Sequence, residues 1–260
     1  MATITIDNIQ LYYDIQGEGE PLLFINGLGG STQDWQAQVD YFSKEYQVIT
    51  FDIRGQGKSD APPGPYSISL FAEDSAKLIQ ALEVGPVHVV GISMGGMIAF
   101  QMVVDFPNLV KSLVIVNSGA QVVFNKWRER FLFWQRKWIV RLMGMQRLGK
   151  FLSKHLLPGP EREKLRKGMT ARWGKNNKKA YLDSLQAFIG WSVMDQLNEI
   201  DCPILVIAAD QDYTPLSFKE EYVAKIPQAR LVVMEGSRHL TPMEHPNQFN
   251  QVLIDFLSDV

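Results

Sequence analysis

At 260 residues and 46% hydrophobic content, the chain is long enough to bury one sizeable core with room for an insertion. Its formal net charge of −2 excludes the generally basic character of a nucleic-acid-binding protein. The single cysteine, Cys202, excludes an intramolecular disulfide and a cysteine metal cluster, and His88, His155, His239 and His245 show no metal-ligand spacing, so no metal or other cofactor is expected.

In chain order, Thr3–Ile6 and Gln10–Ile15 alternate as strands joined by a hairpin signal at Asp7-Asn8. The N-terminal residues lack a basic region followed by an apolar stretch, and no apolar run approaches 18 residues, so a cytoplasmic protein is expected. Pro21–Ile25 is a short buried strand running into the loop Asn26-Gly27-Leu28-Gly29-Gly30, after which Ser31 can cap a helix through Trp35, Val39 and Phe42. Another strand, Tyr46–Phe51, leads into the loop Asp52–Asp60. A helix over Ser69–Leu82 follows, with Leu70, Ala72, Ala76, Leu78, Ile79 and Leu82 at helical spacing.

The next stretch, VHVVGISMGGMIAFQMVV from Val87, reads as strand, tight turn and helix with Ser93 at the apex. Such a turn strains the serine backbone and passes close to the strand before and the helix after. Only very small residues fit two positions away on each side, and Gly91 and Gly95 fill both. Lys111–Asn117, Pro203–Ala208 and Arg230–Met234 are further apolar strands, and Pro246–Leu257 closes as an amphipathic helix. Strands alternating with helices in this way predict an α/β fold, a doubly wound and mostly parallel sheet whose chemistry lies beyond the carboxyl ends of its strands.

Residues 119–199 differ from the rest. They contain no strand-like run, hold five of the six tryptophans, and carry 17 Lys and Arg against 6 Asp and Glu, a net +11 that leaves the remainder at −13. They read as a helical cap inserted in a core formed by 1–118 and 200–260. The first cap helix, Asn125–Met145, interleaves Trp127, Phe131, Trp134, Trp138 and Leu142 with Arg128, Arg130, Arg136, Lys137 and Arg141. The favoured expectation is that these aromatics pack on the core and these bases pair with the acidic sheet domain. A cationic mouth for anionic substrates and contact with a membrane surface are the alternatives, and the membrane is the least favoured.

Serine is a poor nucleophile at its resting pKa and needs a base, which in turn needs a group to hold its tautomer. His239 follows the last strand in a glycine turn and is the candidate base. His245 reads as structural, His88 lies at the wrong end of its strand, and His155 reads as solvated. For the orienting acid, Asp210 and Asp212 compete in the loop after Pro203–Ala208. Asp212 is far enough along to reach an imidazole, whereas Asp210 suits a turn cap. The backbone N–H groups of Met94 and Leu28 are the candidate oxyanion donors.

With the serine turn, the Asp52–Asp60 loop, the Asp212–Pro215 loop and the His239–Pro246 tail together, nearly the whole chain resembles the α/β-hydrolase superfamily. The nearest likeness is to its small esterase and lactonase branch of 3-oxoadipate enol-lactonases and related carboxylesterases. The resemblance implies Ser93, Asp212 and His239 as catalytic triad, with Leu28 and Met94 as oxyanion hole. Two departures are Asn26-Gly27 for the usual His-Gly and Ala209 for a usual glycine. The reaction expected is cleavage of a carboxylic ester or lactone through an acyl-enzyme. The partner is a small-molecule substrate, and the positive cap leaves an anionic acyl group open. A thioesterase, a carbon–carbon bond hydrolase and a non-catalytic ligand receptor of the same fold are the alternatives; oligomeric state has no sequence signal.

Overall fold

The computed structural model describes residues 2–123 and 127–260. Eight strands form one sheet: β1 (Ala2–Ile6), β2 (Ile9–Gln16), β3 (Glu20–Ile25), β4 (Tyr46–Phe51), β5 (Val87–Ile92), β6 (Val110–Val116), β7 (Ile204–Ala209) and β8 (Ala229–Met234). Their spatial order is β1-β2-β4-β3-β5-β6-β7-β8; β1 and β2 pair antiparallel, β2 pairs antiparallel with β4, and all other pairings are parallel. This is the doubly wound sheet expected from the strand and helix alternation. The β1–β2 hairpin turns through Asp7 and Asn8, both at positive φ (47° and 64°), a conformation that Asp and Asn tolerate better than most residues.

The central strands read as continuous apolar runs because both faces are covered. Along β3, Leu22 and Phe24 face one layer with Trp35, Val39 and Phe249, while Leu23 and Ile25 face the other with Phe71, Ile79 and Ile98. The first layer is built from α1 (Gln36–Phe42) and, from the far end of the chain, Pro246–Leu257. The second contains α2 (Ile68–Ala81) and α3 (Met94–Asp105). The N-terminus of α2 is fixed by Ser67, whose hydroxyl accepts the Leu70 N–H at 3.0 Å.

Between β6 and β7 come α4 (Trp127–Leu156), broken at Gly144 where φ is 78° and ψ 172°, then α5 (Glu163–Trp173) and α6 (Lys178–Gln186). After β7 follow α7 (Leu216–Val223), α8 (Thr241–Glu244) and α9 (Pro246–Leu257). The inserted helices are tied to the loops at the carboxyl ends of the strands. Asn176 donates to the Gly29 carbonyl at 2.9 Å and accepts the Gly57 N–H at 2.9 Å, and Trp173 lies against Gly29.

The sequence expectation for α4 needs correction. Its first two residues, Asn125 and Lys126, and the Arg128 side chain lie outside what is described. Its aromatics do not pack on the core: Trp127, Phe131, Trp134 and Trp138 are 51–72% exposed, and Leu142 is exposed with them. The helix instead turns inward the face holding Phe133, Arg136 and Val140, so the aromatic stripe, roughly opposite, points outward. The expected pairing of bases with the sheet domain is met by residues further along, Arg172 with Asp34 and Arg162 with Glu244. No helix among the described residues is long and apolar enough to cross a membrane.

Candidate active site

Ser93 sits between β5 and α3 at φ 55°, ψ −119°, in the positive-φ region that a side chain adopts only under constraint. Close approach on both sides holds it there. A Cβ on Gly91 would collide with the Gly95 carbonyl oxygen, and a Cβ on Gly95 with the Ile25 carbonyl oxygen. The Ser118 hydroxyl adds a hydrogen bond to the Ser93 carbonyl at 2.6 Å. The apex therefore projects the side chain clear of the sheet while the backbone is pinned.

His239 enters from the loop after β8, and Asp212 from the loop after β7. Asp212 Oδ1 lies 2.8 Å from His239 Nδ1. Asp210 instead accepts the Ser237 N–H at 3.2 Å. Asn117, at the end of β6, fastens the two loops together: its amide NH₂ reaches the His239 carbonyl at 3.0 Å and Thr241 Oγ1 at 2.8 Å, and its oxygen accepts the Ala209 N–H at 2.8 Å. The other histidines lie apart from this pair. His88 is buried between Ser112 and Glu20, and His245 reaches the Gly236 carbonyl at 3.3 Å. His155, read as solvated, is exposed but lines the cavity over the site.

The second Asp212 oxygen meets Lys219 of α7. The ammonium lies 2.8 Å from Asp212 Oδ2, 2.7 Å from Thr214 Oγ1 and 2.9 Å from the Thr214 carbonyl, and both charged side chains are fully buried. Burial by itself pushes the Asp212 carboxyl up. The His239 hydrogen bond and charge together with the Lys219 ammonium outweigh that and hold it at about 2. Asp212 is thus ionised near neutral pH.

Ser93 and His239 are not joined directly. The Tyr213 hydroxyl stands between them, 3.0 Å from His239 Nε2 and in hydrogen-bond contact with Ser93, its ring tilted 36° on the imidazole with centroids 4.3 Å apart. Neighbouring groups crowd the ring, although the residue as a whole is 63% exposed and lines the cavity. That crowding and the Asp212 charge push the phenol up to about 12.

The loop after β3 comes within contact of the apex: a Cβ on Gly27 would lie 3.3 Å from Ser93 Cβ. Gly29 and Gly30 use their N–H groups on Gln56 and Gly27, whereas the N–H groups of Leu28 and Met94 have no acceptor among the described residues. Met94 opens α3, where no intrahelical acceptor exists. Asn26, in place of the usual histidine, anchors this loop by donating to the Phe51 carbonyl at 2.8 Å.

All of this faces a cavity of about 950 Å³, lined by Leu28, Ser93, Tyr213 and His239 below and by α4, α5 and α6 residues above. Among the described residues, no group of three His, Cys, Asp or Glu could hold a metal ion. A strand–serine–helix apex, a histidine held by a carboxylate after the last two strands, and two free N–H groups beside them match one family, whose model, the alpha/beta hydrolase fold, matches residues 20–246. The chain belongs to the α/β hydrolase fold family.

Among its relatives is an (E)-2-((N-methylformamido)methylene)succinate hydrolase of Acinetobacter baylyi, 30% identical with 95% of this chain and 94% of that protein covered. Another is 3-oxoadipate enol-lactonase 2 of the same organism, 28% identical over 96% and 94%. The fold matches that of an enol-lactonase from Burkholderia xenovorans with a TM-score of 0.91, at 23% identity over 99% of this chain and 100% of the other. This α/β hydrolase fold chain also holds three residues at its site that sequence reasoning passed over, Asn117, Tyr213 and Lys219. Lys219 follows Asp212 by seven positions on a short helix with no marked apolar face, and nothing in its neighbours signals a buried cation.

Proposed function

We propose that this chain is a serine hydrolase that cleaves a carboxylic ester or lactone through an acyl-enzyme, with residues 119–199 acting as a cap on a core of 1–118 and 200–260. Ser93 attacks the carbonyl carbon, and His239 Nε2 takes its proton and returns it to the leaving oxygen. Asp212 fixes the imidazole, so that Nδ1 carries the proton and Nε2 is free to accept. Leu28 and Met94 donate their N–H groups to the oxyanion. Water then attacks the acyl-enzyme by the same proton route. The Tyr213 phenol leaves the space between Ser93 and His239 as the substrate enters.

The observation that carries this reading is the pinned, positive-φ Ser93 set beside a His239–Asp212 pair 2.8 Å apart. The relative named enol-lactonase supports the ester and lactone class. The relative named for an N-methylformamido compound makes an amide-like carbonyl the second reading. Assays of wild type and Ser93→Ala on p-nitrophenyl esters of increasing length, with the anilides of the same acids alongside, separate the two. The expected result is ester turnover that falls about 10⁴-fold or more in the variant. Equal rates for wild type and variant would end the proposal.

A further inference from the structure

A surface helix ordinarily turns its apolar stripe to the core and its charges to water. The segment of α4 before the break at Gly144 does the reverse. Trp127, Phe131, Trp134, Trp138 and Leu142 are all exposed, and none of them lines the cavity beneath the helix. At 3.6 residues per turn they fall within an arc of about 80°, so they form one continuous stripe, and at 1.5 Å per residue Trp127–Met143 runs for about 25 Å. Large apolar side chains left side by side in water mark a surface built to be covered. Three of the five are tryptophans, whose ring is apolar and whose N–H is polar, the combination that collects where hydrocarbon meets water.

Bases run along one edge of this stripe. Arg130 and Arg141 are exposed and lie about 20–40° round the helix from Trp134, and the Lys137 ammonium sits 5.6 Å from the centre of the Trp134 ring. Trp127–Met143 holds five bases against one acid, within a cap of net charge +11. That charge selects the occupant. A second copy docking through the same face would set two such caps against each other, like charge on like charge, in the self-contacting geometry of a twofold dimer. A lipid surface with anionic headgroups meets both features at once: the rings enter the boundary between headgroups and chains, while the long Arg and Lys side chains reach back to the phosphates. No helix among the described residues is long and apolar enough to cross a bilayer, and a helix of this pattern lies in the plane of the surface.

We infer that the outward face of α4 docks the protein on an anionic lipid surface through the stripe that contains Trp134 and Trp138. The opposite face of the same helix, with Phe133 and Arg136, is the wall of the cavity. Docking therefore holds the cavity about one helix diameter, roughly 10 Å, from the lipid, so that molecules dissolved in the bilayer are concentrated beside it. The contact uses no part of the catalytic machinery and does not rest on the hydrolase reading.

The test is co-sedimentation of the full chain with vesicles of phosphatidylcholine alone and of phosphatidylcholine and phosphatidylglycerol in equal parts, at about 0.1 M and about 1 M salt, where the screening length falls from about 10 Å to about 3 Å. Wild type should bind the mixed vesicles at the lower salt, bind them more weakly at the higher, and bind phosphatidylcholine alone at least about 10-fold more weakly. Trp134→Ala/Trp138→Ala should weaken binding to the mixed vesicles about 10-fold or more. Arg130→Gln/Arg141→Gln should weaken it about 25-fold, at about 5-fold for each base near the surface. Tryptophan emission of wild type should shift to the blue when mixed vesicles are added, and the shift should shrink in the tryptophan variant. All four side chains are exposed, so both variants should keep the wild-type melting curve, and Ser93→Ala should bind as wild type does. Failure of wild type to bind the mixed vesicles, equal binding to the two kinds of vesicle, or binding that the tryptophan variant leaves unchanged would overturn the inference. So would a dimer in sedimentation equilibrium that the tryptophan variant abolishes, which would assign the stripe to a second copy.

Discussion

Replacing Lys219 tests whether the second Asp212 oxygen is held by a true buried ion pair. Lys219→Met keeps most of the apolar stem and removes the ammonium, together with its contacts at 2.8, 2.7 and 2.9 Å to Asp212 and Thr214. The Asp212 carboxylate then stays buried with only the His239 and Thr214 hydrogen bonds. Breaking one side of such a pair costs about 3–5 kcal/mol. At about 2 °C per kcal/mol for a domain of this size, that lowers Tm by roughly 6–10 °C. Asp212→Asn orphans the Lys219 charge and should cost a similar amount. The double variant leaves no buried charge unpaired and should cost no more than either single change, a coupling of about 3 kcal/mol in a urea-denaturation cycle. Acid titration adds a second readout. Asp212 is held at about 2 in the fold against 3.8 for the free side chain, so its contribution is complete above pH 4 and is lost as pH falls toward 2. That contribution is about 2 kcal/mol at 1.36 kcal/mol per pH unit. In Lys219→Met the depression shrinks and the loss begins at higher pH. Single variants that each cost under about 1 kcal/mol, or costs that simply add, would refute the buried-pair argument.

Two further substitutions address the approach to Ser93. Tyr213→Phe removes the hydroxyl that, in the proposed mechanism, a substrate displaces from His239 Nε2, a hydrogen bond worth about 0.5–1.5 kcal/mol. Steady-state kinetics should show KM about 2–10-fold lower with kcat little changed, and a large fall in kcat would show instead that the phenol takes part in the chemistry. Gly95→Ala pushes a methyl group into the Ile25 and Asn26 carbonyl oxygens, the latter at 2.7 Å. It should cost more than about 2 kcal/mol in urea denaturation and disturb the Leu28 loop, so that activity falls by more than stability alone accounts for.

Much of this fold was legible because its signals are local. Each buried strand announces itself by a run of β-branched and apolar residues, α2 and α9 by their period, and the hairpin by Asp7-Asn8 at two positive-φ positions. Ser93 was legible for the same kind of reason: a strand-to-helix turn with Gly91 and Gly95 two residues either side is a local steric requirement, visible without knowing what lies opposite. Asp212 and His239 could be named because topology puts every strand end of a parallel sheet on one edge, so that loop order limits which side chains can meet.

What tertiary structure decided depends on what faces what across elements distant in the chain. Asn117 looks like any strand-end asparagine until the Ala209 and His239 backbones are brought to it. Lys219 becomes a buried partner of Asp212 only when α7 packs under the site, and Tyr213 falls between Ser93 and His239 only by the path of its loop. The sharpest departure is α4. The interleaving of aromatics and bases fixes that two faces exist, but period alone does not say which face turns inward. Packing put Phe133, Arg136 and Val140 inside and left Trp127, Trp134 and Trp138 out, which placed a cation rather than a tryptophan in the cavity wall.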